Sequence, residues 1–130
     1  MEQIPERFKD LFAKKAFAHL ATVMPDGSPQ VSPVWVGYDG TYVIINTARG
    51  RQKDRNMQRS ARVAVEVQDP DDTYRYILVR GRVAEVTEDG AEENIDELSV
   101  KYTGGKYKGR MPGMVRVMYR IEPEHIKTAG

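Results

Sequence analysis

Arg49, Arg51, Lys53 and Arg55 fall within seven residues and face a single acid, Asp54. They follow an apolar run, Tyr42-Val43-Ile44-Ile45, that reads as a strand, and the chain then turns through Gly50 into what reads as the first turn of a short helix. A strand end, a small-residue turn and a helix start expose backbone N–H groups without intrahelical partners. Guanidinium and ammonium groups added to that geometry suit a phosphate, which takes charge-assisted hydrogen bonds from both. The competing reading is a solvated basic helix face. Clustering at a strand-to-helix corner, rather than along a periodic stripe, favours the anion site.

Hydrolytic chemistry finds little footing elsewhere. The chain has no cysteine, which removes disulfides, thiolate metal sites and a cysteine nucleophile. Its two histidines, His19 and His125, are far apart and in no metal-ligand spacing. His19 lies in an apolar strand and reads as a hydrogen-bonded core or edge imidazole, while His125 reads as exposed. No serine sits in a nucleophile-elbow setting. Glu92, Glu93, Asp96 and Glu97 read as a solvated helix surface. In Gln30-Val31-Ser32-Pro33-Val34-Trp35-Val36, alternation places Gln30, Ser32, Val34 and Val36 on one side and Val31, Pro33 and Trp35 on the other. Gln30 and Ser32 either read the edge of a planar heterocycle or face water. Trp35, the only tryptophan, reads as a core or interface anchor. The stretch from Lys101 to Arg110 interleaves Tyr102 and Tyr107 with Lys106 and Lys108. It is a loop that folds over an anion, contacts RNA, or merely connects.

The elements that must position these groups follow from periodicity. Ile4, Phe8, Leu11 and Phe12 recur at helical spacing, predicting a short helix to about Ala13. Strands are predicted at Phe17 to Met24, Gln30 to Tyr38, Thr41 to Thr47, Val63 to Gln68, Tyr74 to about Thr87 and Val115 to Ile121, with Glu122 to Gly130 as a tail. Pro25-Asp26-Gly27-Ser28 and Asp39-Gly40 mark the first two turns. Gly81, in mid-strand, predicts a bulge or bend. A helix reaches about Ser60, and Ala91, Ile95, Leu98 and Tyr102 make a second apolar stripe, closed by Gly104. Tight turns between strands exclude a parallel βαβ sheet and predict an antiparallel barrel or sandwich with two or three peripheral helices. At 130 residues this is one domain. The formal net charge of +1 disfavours a general polyanion binder. The polar N-terminus and the lack of a ~20-residue apolar run predict a cytoplasmic protein.

With these pieces in order, the chain resembles the pyridoxamine 5′-phosphate oxidase-like family of flavin-binding split barrels, and within it the small branch of F420-dependent enzymes. The resemblance spans nearly the whole chain. It rests chiefly on Pro25-Asp26-Gly27-Ser28-Pro29-Gln30-Val31-Ser32-Pro33-Val34-Trp35-Val36 and on Asn46 through Asn56, with Phe17 to Thr22, Gln68-Asp69-Pro70 and Arg80-Gly81-Arg82-Val83 in support. It implies a mainly β fold, a six-stranded antiparallel split β-barrel of Greek-key type, assembled as a homodimer with cofactor sites at the interface. It implies that Arg51 and Lys53, with Asn56 nearby, hold the cofactor phosphate. Asn46 and Thr47 would lie near the ring or ribityl chain, Gln30 and Ser32 would face the ring, and Tyr74 or Tyr76 would come from the partner subunit. True pyridoxamine phosphate oxidases carry a longer C-terminal portion, so the resemblance directs the expectation from vitamin B6 oxidation towards an F420-dependent oxidoreductase acting on a small conjugated or quinone-like acceptor. FMN is the alternative cofactor, and a non-catalytic flavin carrier the alternative class.

Overall fold

The computed structural model describes residues 1–130. Seven antiparallel strands form one sheet in the order β2-β1-β5-β6-β7-β4-β3. They are β1 (Ala18–Val23), β2 (Pro29–Val34), β3 (Gly37–Tyr38), β4 (Val43–Ala48), β5 (Arg62–Gln68), β6 (Tyr76–Thr87) and β7 (Arg116–Ala129). The helices are α1 (Asp10–Ala13), preceded by a 3₁₀ turn at Glu6–Phe8, α2 (Gln52–Arg59) and α3 (Ala91–Thr103).

The mainly β, split-barrel expectation holds, but the strand count rises from six to seven. The segment predicted as one strand from Gln30 to Tyr38 is two, β2 and β3, at opposite edges of the sheet. Only Trp35 and Val36 join them, so the sheet must curl until its edges meet. The break has a local cause. The Val36 N–H donates to the Tyr102 hydroxyl (3.2 Å) instead of to a neighbouring strand. Pro33 has no N–H to donate and is tolerated at the edge.

Period-2 alternation fills the barrel. Leu20, Val43, Ile45, Val65, Val67, Ile77, Val79, Val117, Tyr119 and Ile121 are all but fully buried, and Ile4, Phe8, Leu11 and Phe12 close one end as their spacing predicts. The second stripe is also as read: Ala91, Ile95, Leu98 and Tyr102 are buried beneath α3. Part of that burial is against Ile44 and Met118 on the outer face of β4 and β7, and burying such side chains stabilises by about 1.5–3 kcal/mol each. Gly104 ends α3 in the left-handed region, at φ 86°.

The last strand needs correcting too. Instead of stopping at Ile121 before a tail, β7 continues to Ala129 along β6. Pro123 is accommodated because the register slips beside it, with Arg80 opposite His125 but Gly81 opposite Pro123. That is the bulge predicted at Gly81. A Cβ there would stand 2.1 Å from the Glu122 carbonyl oxygen, so only glycine fits. No helix is long and apolar enough to cross a membrane.

Candidate functional site

The basic corner is built by a buried acid. At the β4–α2 junction, Asp54 is almost wholly buried and accepts from the Gly50 N–H (2.9 Å), the Tyr119 hydroxyl (2.5 Å), Gln58 Nε2 (3.1 Å) and Arg49 Nη1 (3.3 Å). Burial pushes its carboxyl up, but these donors outweigh burial and hold it below the usual carboxylate range. Burial and the Asp54 carboxylate in turn raise the Tyr119 phenol. Gly50 takes φ 92°, which only glycine adopts readily, to turn the chain into α2.

This scaffold sorts the four corner cations. Arg49 bridges Asp54 and Glu88 (2.9 Å to Oε2), and Arg55 donates to the Gly50 carbonyl (2.6 Å) and Gln52 (2.7 Å). Both are consumed within the fold. Arg51 and Lys53 make no side-chain hydrogen bond or ion pair. They line a cleft of about 210 Å³ with Phe17, Pro33, Trp35, Asn46, Ile95, Tyr107 and Arg116.

Arg116 opens β7 and is buried. It has no carboxylate partner: its Nε donates to Asn46 Oδ1 (2.9 Å), and its guanidinium lies 5.0 Å from the centre of the Tyr107 ring. Three cations therefore converge on one concavity with no counter-charge. Burial, then Arg51 and Arg116, push the Lys53 ammonium down. Burial also lowers Arg116, opposed by Tyr107 and reinforced by Arg51. The cleft also carries an aromatic wall, and Tyr107 within it lies directly against one of the cations. Trp35 is stacked on Tyr102 (5.3 Å between centroids, 4° between planes) and meets Tyr107 edge-on at 6.2 Å. Unpaired cations beside aromatic and apolar side chains have the chemistry to take an anionic group tethered to a planar ring.

Of the residues predicted for the site, Asn46, Arg51 and Lys53 come together in the cleft. Asn46 reaches it with its amide already committed, donating to the Ala91 carbonyl (2.8 Å) and Asn94 Oδ1 (3.0 Å). Thr47 points the opposite way on β4 and is buried, its hydroxyl unpartnered. Asn56 is fully buried. Its amide nitrogen donates to Thr22 Oγ1 (3.0 Å), and its carbonyl accepts from Gln52 (2.8 Å) and Arg59 (3.0 Å). Gln30 and Ser32 are half-buried on the side of β2 opposite Pro33, and Gln30 Oε1 lies 3.5 Å from Asn56. Tyr74 precedes β6 rather than opening it, and is 87% exposed. Tyr76 is the first residue of β6 and half-buried.

Arg116 was missed in the sequence, as was the wall role of Trp35, Phe17 and Tyr107. Arg116 carries one signal: it shares a strand face with Met118, which β4 and α3 must cover, and a cation there lacks an ordinary structural reason. The second basic loop is partly used up. Lys101 donates to the Phe12 carbonyl (2.8 Å) and to that of Val36, and burial pushes its ammonium down to about 8. Arg110 pairs with Glu92 (2.7 Å) and Asp96 (3.1 Å), leaving Lys106 and Lys108. Of the two histidines, His19 is exposed beside Glu66 (Nδ1 to Oε1 3.1 Å), and His125 is exposed on β7.

A profile described as pyridoxamine 5′-phosphate oxidase matches residues 4–129. Among solved structures, an F420 reductase is similar at 34% identity, with a TM-score of 0.85, over 95% of this chain and 98% of that one. The conserved hypothetical protein Rv2991 from Mycobacterium tuberculosis shares 23% identity with a TM-score of 0.76, over 99% of this chain and 89% of that one. General Stress Protein 26 from Bacillus anthracis shares 20% identity with a TM-score of 0.73, over 95% and 92%. The last two likenesses are of fold. No curated protein matches the chain.

Proposed function

The chain belongs to the pyridoxamine 5′-phosphate oxidase family, and we propose that within it this protein is an oxidoreductase that binds F420 and reduces a small conjugated or quinone-like acceptor. The observation that carries the reading is the convergence of Arg51, Lys53 and Arg116, unpaired, beside the Trp35–Tyr107 wall. The F420 reductase at 34% identity supports the choice of cofactor.

The donor set fits a phosphoester. Three cations, two of them at the N-terminus of α2 and the third at the start of β7, complement a dianion better than a single carboxylate. Arg51 and Lys53 extend from the first turn of α2, whose N–H groups lack intrahelical acceptors. Trp35, Phe17 and Pro33 offer a flat apolar surface that excludes water from one face of a ring. Bound F420 would supply two-electron hydride chemistry, so the protein's part is to grip, orient and desolvate. That division suits a cleft whose lining has cations, an amide and apolar groups but no carboxylate or histidine. Assembly as a homodimer belongs to the same proposal. Phe17 is 51% exposed, Val31 64% and Tyr74 87%, an apolar periphery that a second copy would cover.

FMN is the second reading, and one observation favours it. With Lys101 and Arg110 engaged inside the fold, less free charge remains for the longer anionic tail of F420. The test is to titrate F420 and FMN separately into the protein, following Trp35 fluorescence and cofactor absorbance. Tighter F420 binding is expected. A clear preference for FMN overturns the cofactor assignment, and binding of neither overturns the cleft. Protein-dependent reoxidation of reduced F420 by quinones or unsaturated ketones distinguishes an enzyme from a carrier.

A further inference from the structure

We propose that Asn46 is not itself a ligand-binding group but the residue that positions Arg116, and that through it the first turn of α3 aims the third cation of the cleft. The inference rests on the anion-binding reading above and deepens it. An asparagine amide has two N–H donors and one acceptor oxygen. Here both donors are taken, by the Ala91 carbonyl (2.8 Å) and Asn94 Oδ1 (3.0 Å) at the start of α3. The amide cannot flip without placing its oxygen against two acceptors. Its Oδ1 is therefore held towards Arg116 and accepts from Nε at 2.9 Å.

Fixing Nε fixes the plane of the guanidinium. The Tyr107 ring lies against it at 5.0 Å, leaving the two Nη groups as the uncommitted edge. Their protein contacts are marginal: Nη1 is 3.5 Å from the Tyr107 hydroxyl and 3.7 Å from Met114 Sδ. A planar fork with its far edge free and its near edge anchored is the arrangement that bidentate recognition of a phosphate requires. Arg116 opens a strand next to a glycine-containing loop, and Asn46 lies on the neighbouring strand near the end of β4. The amide thus ties the two strands and the helix together behind the guanidinium. An aspartate would pair with Arg116 and cancel its charge; an aliphatic residue would leave it free to swing. Asparagine orients the cation and keeps its charge available.

The test is a pair of double-mutant cycles with F420 and FMN as probes, read by Trp35 fluorescence, with folding checked by circular dichroism. Arg116→Met and Asn46→Ala should each weaken binding roughly 10- to 100-fold. The double variant should bind no more weakly than Arg116→Met alone, whereas Asn46→Ala and Lys53→Met should multiply. Asn46→Asp, which keeps the shape, should lose affinity as Arg116→Met does. If Asn46→Ala fails to fold, Arg116→Lys keeps the charge but loses the planar fork that Asn46 holds; it should still weaken binding roughly 10-fold, and wild-type affinity there would overturn the positioning role. Should Arg116→Met weaken binding while the Asn46 variants match the wild type, or add fully to Arg116→Met, the positioning role is wrong and the cation cleft stands. Should the wild type bind neither probe, both readings fall.

Discussion

Lys53→Met ought to make the ligand-free protein more stable and the liganded one weaker. Lys53 is half-buried, makes no hydrogen bond, and is disfavoured in its charged form by burial, by Arg51 and by Arg116. Methionine keeps the chain length and removes the charge. Allowing for solvent screening of a partly exposed group, relief of that repulsion is worth ~0.5–1.5 kcal/mol. For a chain of this length the entropy of unfolding is about 0.27 kcal/mol/K, so the melting temperature should rise by ~2–6 °C. The phosphate would meanwhile lose one charge-assisted hydrogen bond, worth ~1.5–3 kcal/mol, and affinity should fall roughly 10- to 150-fold. Calorimetric melting without ligand and fluorescence titration with F420 or FMN measure the two halves separately. A cation with a purely structural role predicts the reverse, a lower melting temperature with unchanged binding. That result would refute the reasoning.

Four further outcomes follow from the same structure. Asp54→Asn removes the charge and one of the two acceptor oxygens that serve Tyr119, Gly50 and Arg49, and sets an NH2 group against a donor; it should cost ~2–4 kcal/mol in denaturant unfolding, and a loss below ~0.5 kcal/mol would show that the corner is not held by this carboxylate. Gly81→Ala drives a Cβ against the Glu122 carbonyl and should destabilise by ~2 kcal/mol or more, so a wild-type melting point would contradict the β6–β7 register. Lys101 has a folded-state pKa of about 8, depressed from 10.5. The unfolded chain therefore binds the extra proton between those values, and stability should rise as pH climbs through that window; the rise should vanish in Lys101→Met, and its persistence there would assign it to another group. Lys101→Ala and Lys101→Met both leave the Phe12 and Val36 carbonyls without their donor, but alanine also loses the packed aliphatic stem and should be less stable than Lys101→Met by ~1 kcal/mol, as urea midpoints would show.

What could be read in the sequence was local. The stripe Ala91, Ile95, Leu98 and Tyr102, the bulge at Gly81 and the corner around Gly50 each follow from one residue's backbone freedom or one segment's periodicity. What could not be read depends on partners far along the chain. The split of β2 from β3 is decided at Val36 by a hydroxyl 66 residues away. Arg49 is indistinguishable from Arg51 until Glu88 takes it up. Arg116 is unremarked as one charge in an apolar strand until Asn46, 70 residues earlier, is set beside it. Glu122-Pro123-Glu124 resembles a tail because proline lacks a donor, and only the slip opposite Gly81 lets the strand run through it. Periodicity reports which face a side chain takes, not what it meets there.

The Tyr102 hydroxyl accepts from the Val36 N–H and donates to the Ala16 carbonyl (2.7 Å), while its ring backs Trp35. One phenol thus rivets the seam of the cylinder and upholsters the surface where a ligand would rest. Sliding that panel aside would mean unlacing the barrel, so the wall offers little room for adaptation. Diversity in what such a receptor accepts has to be written instead into the stretch from Gly105 to Arg110, which borders the cleft through Tyr107 and is fastened to α3 at Glu92 and Asp96, away from the seam.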